Sequence, residues 1–425
     1  MASVDLFEEL DSGAAWLVLT GCGIVAFFGV TALYGSTFGL FLPPLQQDLG
    51  WTRAQIAFSL TLVTIVSPLL APVIGWVIDN VPLRPLVLTG ILLQSANFAA
   101  FGLMGGELWN YYALCLLLVA TATGASLLSL AKVVQGWFQK SLGRAMGILF
   151  ACSAAGAIVH PMVIQAFISH GGWRRAFFAM AAMSLLFGGL AAWGMVRERI
   201  PSARRRMENA PRHADAVVSP GSMLALLRDS IWWKLALWNL LFAFGVGCIM
   251  IHFAALLQDR GATPAMSALA VSLLGAGGLL GNLCAGWLMD RVAAPRLAVA
   301  LMLAPMAAAL ALQAGPRIEV AIALGVVLGV CSGGDGSLSM FLARRYFSAE
   351  TFGRASATQT VAVSFGGGIS PWLSGLLYGA TGGYRLSLLL GALAFGLAAV
   401  AAWRLPNARG AARSPERSVG CTVSS

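Results

Sequence analysis

Long apolar runs recur along the whole sequence, and they constrain the fold more than any other feature. Each run holds about 20 residues, the length of helix that crosses a hydrocarbon layer of about 30 Å. The runs are continuous rather than alternating, which excludes a transmembrane β-barrel. They predict an all-α integral membrane fold of twelve membrane-spanning helices, called spans 1 to 12, at residues 14–42, 53–77, 84–104, 110–137, 142–168, 174–196, 231–257, 265–289, 296–314, 318–343, 354–380 and 384–404.

The composition agrees with a membrane protein. Of the 425 residues, 58% are hydrophobic and only 10% are charged, whereas soluble domains contain about 25% charged residues. The acidic start, MASVDLFEELDSG, lacks the basic segment and cleavage site of a signal peptide, so span 1 is expected to be retained. The seven cysteines are scattered without a CxxC pair. They are typical of packing residues and predict neither a disulfide framework nor a metal site.

The basic residues predict the orientation of the chain. With the N-terminus inside, most Lys and Arg residues fall in cytoplasmic connections, including the segment RERIPSARRRMENAPRHAD at 197–215. Both termini are therefore expected in the cytoplasm, and the net charge of +10 reflects topology rather than nucleic-acid binding. The predicted organisation is an N-terminal six-helix bundle, a basic linker, a C-terminal six-helix bundle and a disordered cytoplasmic tail, at 1–196, 197–228, 229–405 and 406–425.

The two halves of the sequence repeat each other at an offset of 211 residues. GWVIDN at 75 matches GWLMDR at 286, LQQDLGWTRAQ at 45 matches LLQDRGATPAM at 256, and GGWRRAFF at 171 matches GGYRLSLL at 382. WFQKSLGRA at 137 matches YFSAETFGRA at 346 with one inserted residue. Repeats of this kind in a membrane chain indicate a transporter whose halves rock about a central site.

A duplicated six-span unit with GxxxD at the ends of spans 2 and 8 resembles the major facilitator superfamily. The resemblance covers the whole chain and implies two pseudo-symmetric six-helix bundles and a monomer. It also implies a cytoplasmic gate, because glycine lets helices approach closely and an end-of-helix aspartate pairs with a helix N-terminus or an arginine. The alternative is that these charges only mark the membrane boundary. The gate residues are Gly75, Asp79, Arg84, Gly286, Asp290 and Arg291.

Two further stretches are similar to monocarboxylate-transporter signatures. DSGAAW at 11–16 resembles the span 1 signature of that branch, and WFQKSLGRAMG at 137–147 resembles its span 4–5 signature. GVCSGGDGSLSMFLARRYF at 329–347 is similar to span 10 of bacterial members, which usually carry an acidic residue where Asp335 stands. This resemblance implies a bacterial inner-membrane protein.

Two titratable residues are candidates for proton coupling. Asp335 lies near the middle of span 10, where a charge costs roughly 2.5–3.5 kcal/mol, so a functional role is the default interpretation. A carboxyl in a poorly hydrated cavity can bind and release a proton near neutral pH. His252 on span 7 can bind an anion or a proton. The alternatives are an aspartate neutralised by a neighbouring donor and a neutral, hydrogen-bonding histidine.

Four residues are candidates for substrate binding. Tyr34 and Asn282 stand where the animal carriers of this branch have a lysine and an arginine, so two fixed positive charges are missing. Lys132 on span 4 either pairs with a substrate anion or extends its ammonium group to the cytoplasmic surface. Gln359 on span 11 either binds substrate or hydrogen-bonds another helix. Tyr34 can donate a hydrogen bond to a carboxylate or simply pack.

These features favour a proton-coupled symporter for a small organic anion such as a monocarboxylate. Its expected partners are the substrate, protons and the lipid bilayer, and no cofactor is predicted. The alternatives are proton-antiport efflux of a drug or metabolite and, remotely, a non-transporting sensor. An enzyme is not predicted, because neither a GxxxxGK[ST] nucleotide loop nor an HExxH metal motif occurs in the sequence.

Overall fold

The structure, a computed structural model, describes residues 11–197, 228–289, 291, 294–347 and 349–405. Apart from Arg197 and Arg228, the predicted linker lies outside the described residues, as do the predicted tail and the gate residue Asp290. The helical segments are Gly13–Phe27, Thr31–Gly35 (π-helical), Phe38–Leu49, Arg53–Asn80, Leu83–Leu103, Leu108–Thr121, Leu127–Trp137, Leu142–Met183, Ser184–Gly189 (π-helical), Leu190–Met195, Ser230–Met250, Phe253–Asp259, Pro264–Met289, Ala294–Gln313, Ile318–Tyr346, Ala349–Thr381 and Arg385–Trp403.

Ten helical segments in the described ranges are long and apolar enough to cross a membrane. The segment Leu142–Met195 contains two crossings, because Gly172 interrupts it with a φ of 77°. Span 4 is divided into Leu108–Thr121 and Leu127–Trp137 by a short break. The described part of the chain therefore crosses twelve times, which confirms the predicted all-α fold.

The spans end at two opposite faces of the bundle. Three contacts bring the helix ends of the first face together. They join Asp11 to the 139–141 backbone, Lys132 to Asp79, and Trp137 to Arg197. We call it the terminal face, and it carries Asp11, Asp79, Trp137, Arg197 and, at the end of span 12, Arg404. The opposite face carries Gly50, Arg53, Asp259 and Tyr384.

A local sequence signal explains where span 2 begins, and two further spans are interrupted. Thr52 caps span 2 by accepting from the Gln55 backbone N–H, and the Gln55 side chain accepts from Thr52 in return. Span 1 contains the π-helical turn Thr31–Gly35, and span 7 breaks just before Phe253, with His252 at the break. Such interruptions expose backbone groups and are typical of functional positions.

Glycine brings spans 8 and 10 into backbone contact. A Cβ atom at Gly333 would overlap the Gly278 carbonyl oxygen, and one at Gly281 would overlap the Val330 carbonyl oxygen. In lipid, such close packing supplies much of the attraction between helices. It also fixes the position of Asp335, two residues beyond Gly333.

Candidate functional site

A cavity of about 360 Å³ lies in the C-terminal half, between spans 7, 10 and 11, and both polar and apolar side chains line it. It extends toward the terminal face as far as Ala343 and Ser356. None of the described residues that line it is Lys, Arg or His. Its polar lining residues are Asn239, Ser332, Asp335, Ser339, Ser356, Gln359 and Thr360.

Asp335 is the only acidic group among the described residues of this cavity. Its side chain is 6% exposed, and no described residue donates a hydrogen bond to its Oδ1 atom. A buried carboxylate with neither a cation nor enough donors is costly to keep ionised. The Asp335 carboxylate is therefore expected to bind a proton or a ligand.

Gln359, predicted as a substrate ligand, lies in the same cavity as Asp335. Its Oε1 accepts from Asn239 Nδ2 at 3.4 Å, and Asn239 Oδ1 accepts from Ser339 Oγ at 2.9 Å. This chain of hydrogen bonds orients the Gln359 amide. Its Nε2 group is buried and has no hydrogen-bond partner among the described residues. The amide thus offers an unused donor.

A second polar cluster, which we call the latch, joins the two halves at the face opposite the termini. Arg53 of span 2 forms a two-pronged ion pair with Asp259, with N–O distances of 2.7 and 2.8 Å. It also donates to Gln46 and Tyr384, and its guanidinium carbon lies 3.9 Å from the centre of the Tyr378 ring. Arg53 is 6% exposed. These contacts hold the opposite face closed.

His252 belongs to the latch rather than to the cavity of Asp335. The Pro371 carbonyl lies 2.8 Å from Nε2 and can only accept, so Nε2 carries a hydrogen. Tyr384 O–H then donates to Nδ1 at 3.1 Å and accepts from Arg53. A neutral His252 satisfies every member of this chain. The structure therefore does not bring the two predicted coupling residues together.

Near the latch, spans 2 and 11 also meet closely. Thr61 donates to the Gly368 carbonyl at 2.7 Å, and a Cβ atom at Gly375 would lie 2.6 Å from Ala54. By contrast, Gly75, nearer the terminal face on span 2, has open space beside it. Spans 2 and 11, one from each half, thus meet closely on the latch side and not at Gly75.

The predicted cytoplasmic gate makes contacts within single halves in this conformation. Asp79 pairs with Lys132 at 2.8 Å, and Arg84 donates to the Trp193 carbonyl. Arg291 donates to the Trp287 carbonyl and stacks on its ring. Gly286 lies in the span 8 helix. A gate between the halves stays a prediction for another conformation.

The other predicted substrate ligands lie outside the cavity of Asp335. Lys132 reaches the end of span 2, where its ammonium group also donates to the Ile78 carbonyl at 2.7 Å. Tyr34 is buried in an aromatic cluster, with its hydroxyl 3.9 Å from Cys115 Sγ. Asn282 is exposed on span 8 and is not among the residues that line the cavity.

The two monocarboxylate-transporter-like motifs contact each other at the terminal face. The Asp11 carboxylate accepts hydrogen bonds from the Ser141 hydroxyl and from the backbone N–H groups of Gln139, Lys140 and Ser141. The Ser141 hydroxyl above all, together with these N–H groups, lowers the pKa of Asp11 to about 2. Asp11 thus anchors the start of span 5 to the start of span 1.

We expect Asp11→Asn to lower the melting temperature of the purified protein at pH 7. Asn tolerates the left-handed backbone (φ 61°) at this position, so the change isolates the charge. Because the folded pKa is depressed, the stabilisation is present above pH about 4 and is lost as the pH falls toward 2. The wild-type and variant melting curves should converge over that window. Equal melting temperatures at pH 7 would contradict this role.

Comparison with known proteins agrees with the twelve-span fold. The sequence matches the family described as Major Facilitator Superfamily over residues 19–253 and 235–420. The chain belongs to the Major Facilitator Superfamily. This major facilitator is 25% identical over 403 residues to monocarboxylate transporter 13 of Bos taurus, covering 90% of this chain and 87% of that protein. It is 26% identical over 289 residues to the fujikurins efflux protein of Gibberella fujikuroi, covering 66% and 58%.

Solved structures show the same fold at low sequence identity. A bacterial homolog of the human lysosomal transporter Spinster, in an inward-facing and unoccupied conformation, superimposes with a TM-score of 0.75 at 15% identity, covering 94% of this chain and 98% of that one. A D-xylose–proton symporter gives a TM-score of 0.68 at 13% identity, covering 93% and 98%. The family match and the transporter relatives make this chain a multi-pass membrane transporter and not an enzyme.

Sequence reasoning missed Arg53, Asp259 and Tyr384 as functional candidates. The repeat had aligned Asp48 with Asp259, which was a signal that the position matters. In the first copy Asp48 pairs with Arg174 of its own half at 2.8 Å, and Trp173 also donates to it. In the second copy Asp259 pairs across the halves instead. The position equivalent to Arg53 is Pro264, so only one copy supplies the latch arginine.

Proposed function

We propose that this transporter is a proton-coupled symporter that takes up a small organic anion, such as a monocarboxylate, by alternating access. The observation that carries the proposal is Asp335, a buried acid in a cavity whose described lining includes no cation. Such a group can take a proton on one side of the membrane and release it on the other. The similarity to monocarboxylate transporters supports the substrate class.

The latch supports alternating access as the mechanism. It closes the face opposite the termini, while the cavity extends toward the terminal face. Under the positive-inside rule the terminal face is cytoplasmic, so this conformation releases substrate to the cytoplasm. We place the protein in a bacterial inner membrane with both termini inside. In the opposite conformation, Gly75 and Asp79 and their second copies would close the cytoplasmic side.

Transport by the purified protein in liposomes tests the proposal. With an acidic exterior, we expect faster initial uptake of at least one of radiolabelled acetate, lactate, pyruvate or benzoate than in protein-free liposomes. The excess should disappear with a protonophore, because the pH gradient supplies the driving force. Protein-free liposomes correct for diffusion of the undissociated acids. Equal initial rates of uptake with and without protein for every acid would contradict the proposal.

Efflux by proton antiport is the second candidate, and the similarity to a fungal efflux protein favours it. The same liposomes separate the two functions. An antiporter would move a hydrophobic cation such as tetraphenylphosphonium against its gradient, in exchange for protons, and would leave the carboxylates at the protein-free level. That result would replace symport with efflux.

A further inference from the structure

The cavity poses a charge problem for the proposed substrate, because it holds an acid and its described lining includes no cation. We propose that Asp335 binds the substrate carboxylate directly through a shared proton, and that the Gln359 amide donates the second hydrogen bond. This inference rests on the proposed function. It assigns a carboxylic-acid recognition site that works without a fixed positive charge.

The hydrogen-bonding groups of the two side chains, which line one cavity, are complementary to one carboxylate group. Asn239 occupies Gln359 Oε1, which leaves Nε2 as a buried donor without a described partner. Asp335, at 6% exposure, has one carboxylate oxygen without a described donor. A protonated Asp335 offers one O–H donor and Gln359 offers one N–H donor, which together match the two oxygens of a carboxylate.

Three basic side chains described above have other partners in this conformation. Lys132 pairs with Asp79 near the terminal face, and Arg53 pairs with Asp259 in the latch. His252 is held between Tyr384 and Pro371. None of these three lines the cavity. In the proposed site, the proton on Asp335 balances the charge of a bound anion.

Few other titratable groups lie near Asp335 among the described residues. The described cavity residues of spans 7 and 11 are apolar, hydroxyl or amide side chains. The neighbours of Gly334 on spans 8 and 9 are Ala285 and Leu301. Among the described residues, Cys331, one turn earlier on span 10, is a titratable neighbour of Asp335. The pH dependence of binding is thus expected to follow Asp335.

Protonation must precede or accompany binding of the anion. Two negative charges about 4 Å apart, at an effective dielectric constant of about 20, weaken binding by roughly 10³-fold. One proton then enters with each carboxylate, and the transport cycle carries no net charge. Uptake should respond to the pH gradient and not to the membrane potential.

Exchange of labelled lactate and benzoate across proteoliposomes, measured between pH 5 and 9 without a gradient, tests this inference. For the wild type, we expect the half-saturating concentration to rise about tenfold per pH unit once Asp335 loses its proton. Asp335→Asn should show no such dependence, because the amide donates a hydrogen bond at every pH. Gln359→Leu should keep the dependence but bind at least tenfold more weakly. Asp48→Asn, the same carboxyl-to-amide change outside the cavity, should match the wild type.

Each outcome decides the inference. A pH dependence in Asp335→Asn equal to that of the wild type would overturn it, and so would unchanged affinity in Gln359→Leu. Lactamide competing as well as lactate would overturn it too, since the amide lacks the carboxylate. If Asp335→Asn does not fold, the affinity of Gln359→Leu still decides the test. If the wild type exchanged no carboxylate, the proposed function would fall together with the inference. If the wild type exchanged a carboxylate but Asp335→Asn kept the pH dependence, or Gln359→Leu kept its affinity, only the inference would fall.

Discussion

Arg53→Met is expected to open the face that the latch closes. The substitution removes the two-pronged ion pair with Asp259, the hydrogen bonds to Tyr384 and Gln46, and the stacking on Tyr378. Methionine is unbranched and fills much of the same volume, so the loss is mainly one of polar contacts.

The size of this effect follows from the burial of the pair. Breaking a fully buried ion pair costs about 3–5 kcal/mol. Arg53 is buried, but the Asp259 side chain is 32% exposed and can regain water. We therefore expect about 2–3 kcal/mol, which shifts the equilibrium between the two conformations by roughly 30- to 150-fold. Such a shift raises the ratio of the latch-open form to the latch-closed form by the same factor.

Distances between spin labels measure this shift. Labels at Gln47→Cys and Ala265→Cys, both exposed at the latch face and one in each half, report its width on a cysteine-free background. We expect a longer distance in Arg53→Met and a lower rate of proton-driven uptake. Arg174→Met is the matched control, because its ion pair with Asp48 lies at the same face but within one half. Unchanged distances in Arg53→Met would show that the latch does not hold the halves together.

Gly333→Ala is expected to destabilise the fold more than its size suggests. A single Cβ atom at this position overlaps the Gly278 carbonyl oxygen, and backbone cannot move aside as a flexible side chain can. Overpacking of this kind costs about 1–3 kcal/mol. The same contact positions span 10, so Asp335 should shift with the backbone. We therefore expect the transport rate to fall by more than the loss of folded protein alone would explain.

Gly336→Ala is the matched control, because it lies in the same helix and has nothing within 4 Å of an added Cβ atom. Both changes gain about the same helix propensity, roughly 1 kcal/mol. Thermal aggregation in detergent, followed by size-exclusion chromatography, should give a melting temperature several degrees lower for Gly333→Ala than for Gly336→Ala. Equal melting temperatures would mean that spans 8 and 10 are not locked by this contact.

Some of the candidate site could be predicted from local sequence alone. Asp335 and Gln359 are polar residues inside apolar runs, and burying such groups is costly wherever the run is placed. They were therefore candidates before their environment was known. The structure adds that both line one cavity, and that Asn239 orients the Gln359 amide.

Other candidates could not be resolved without the neighbours. The Lys132 side chain is long enough to reach either a substrate or the surface, and only the position of Asp79 shows which group it meets here. Tyr34 can donate to a carboxylate or pack, and its place depends on the aromatic rings of Phe98, Phe101 and Phe177 from other spans. Sequence spacing carries no information about these contacts.

The sequence by itself determined the twelve crossings and the duplicated plan. Hydrophobic length, glycine and proline breaks and the cost of burying charge are properties of each segment, so they can be read along the chain. Only the tertiary structure decided which face is closed, and by which residues. The pairing of Arg53 with Asp259 depends on how two nearly equivalent halves are placed against each other. The internal repeat, which pairs equivalent positions, cannot specify a contact that breaks its own symmetry.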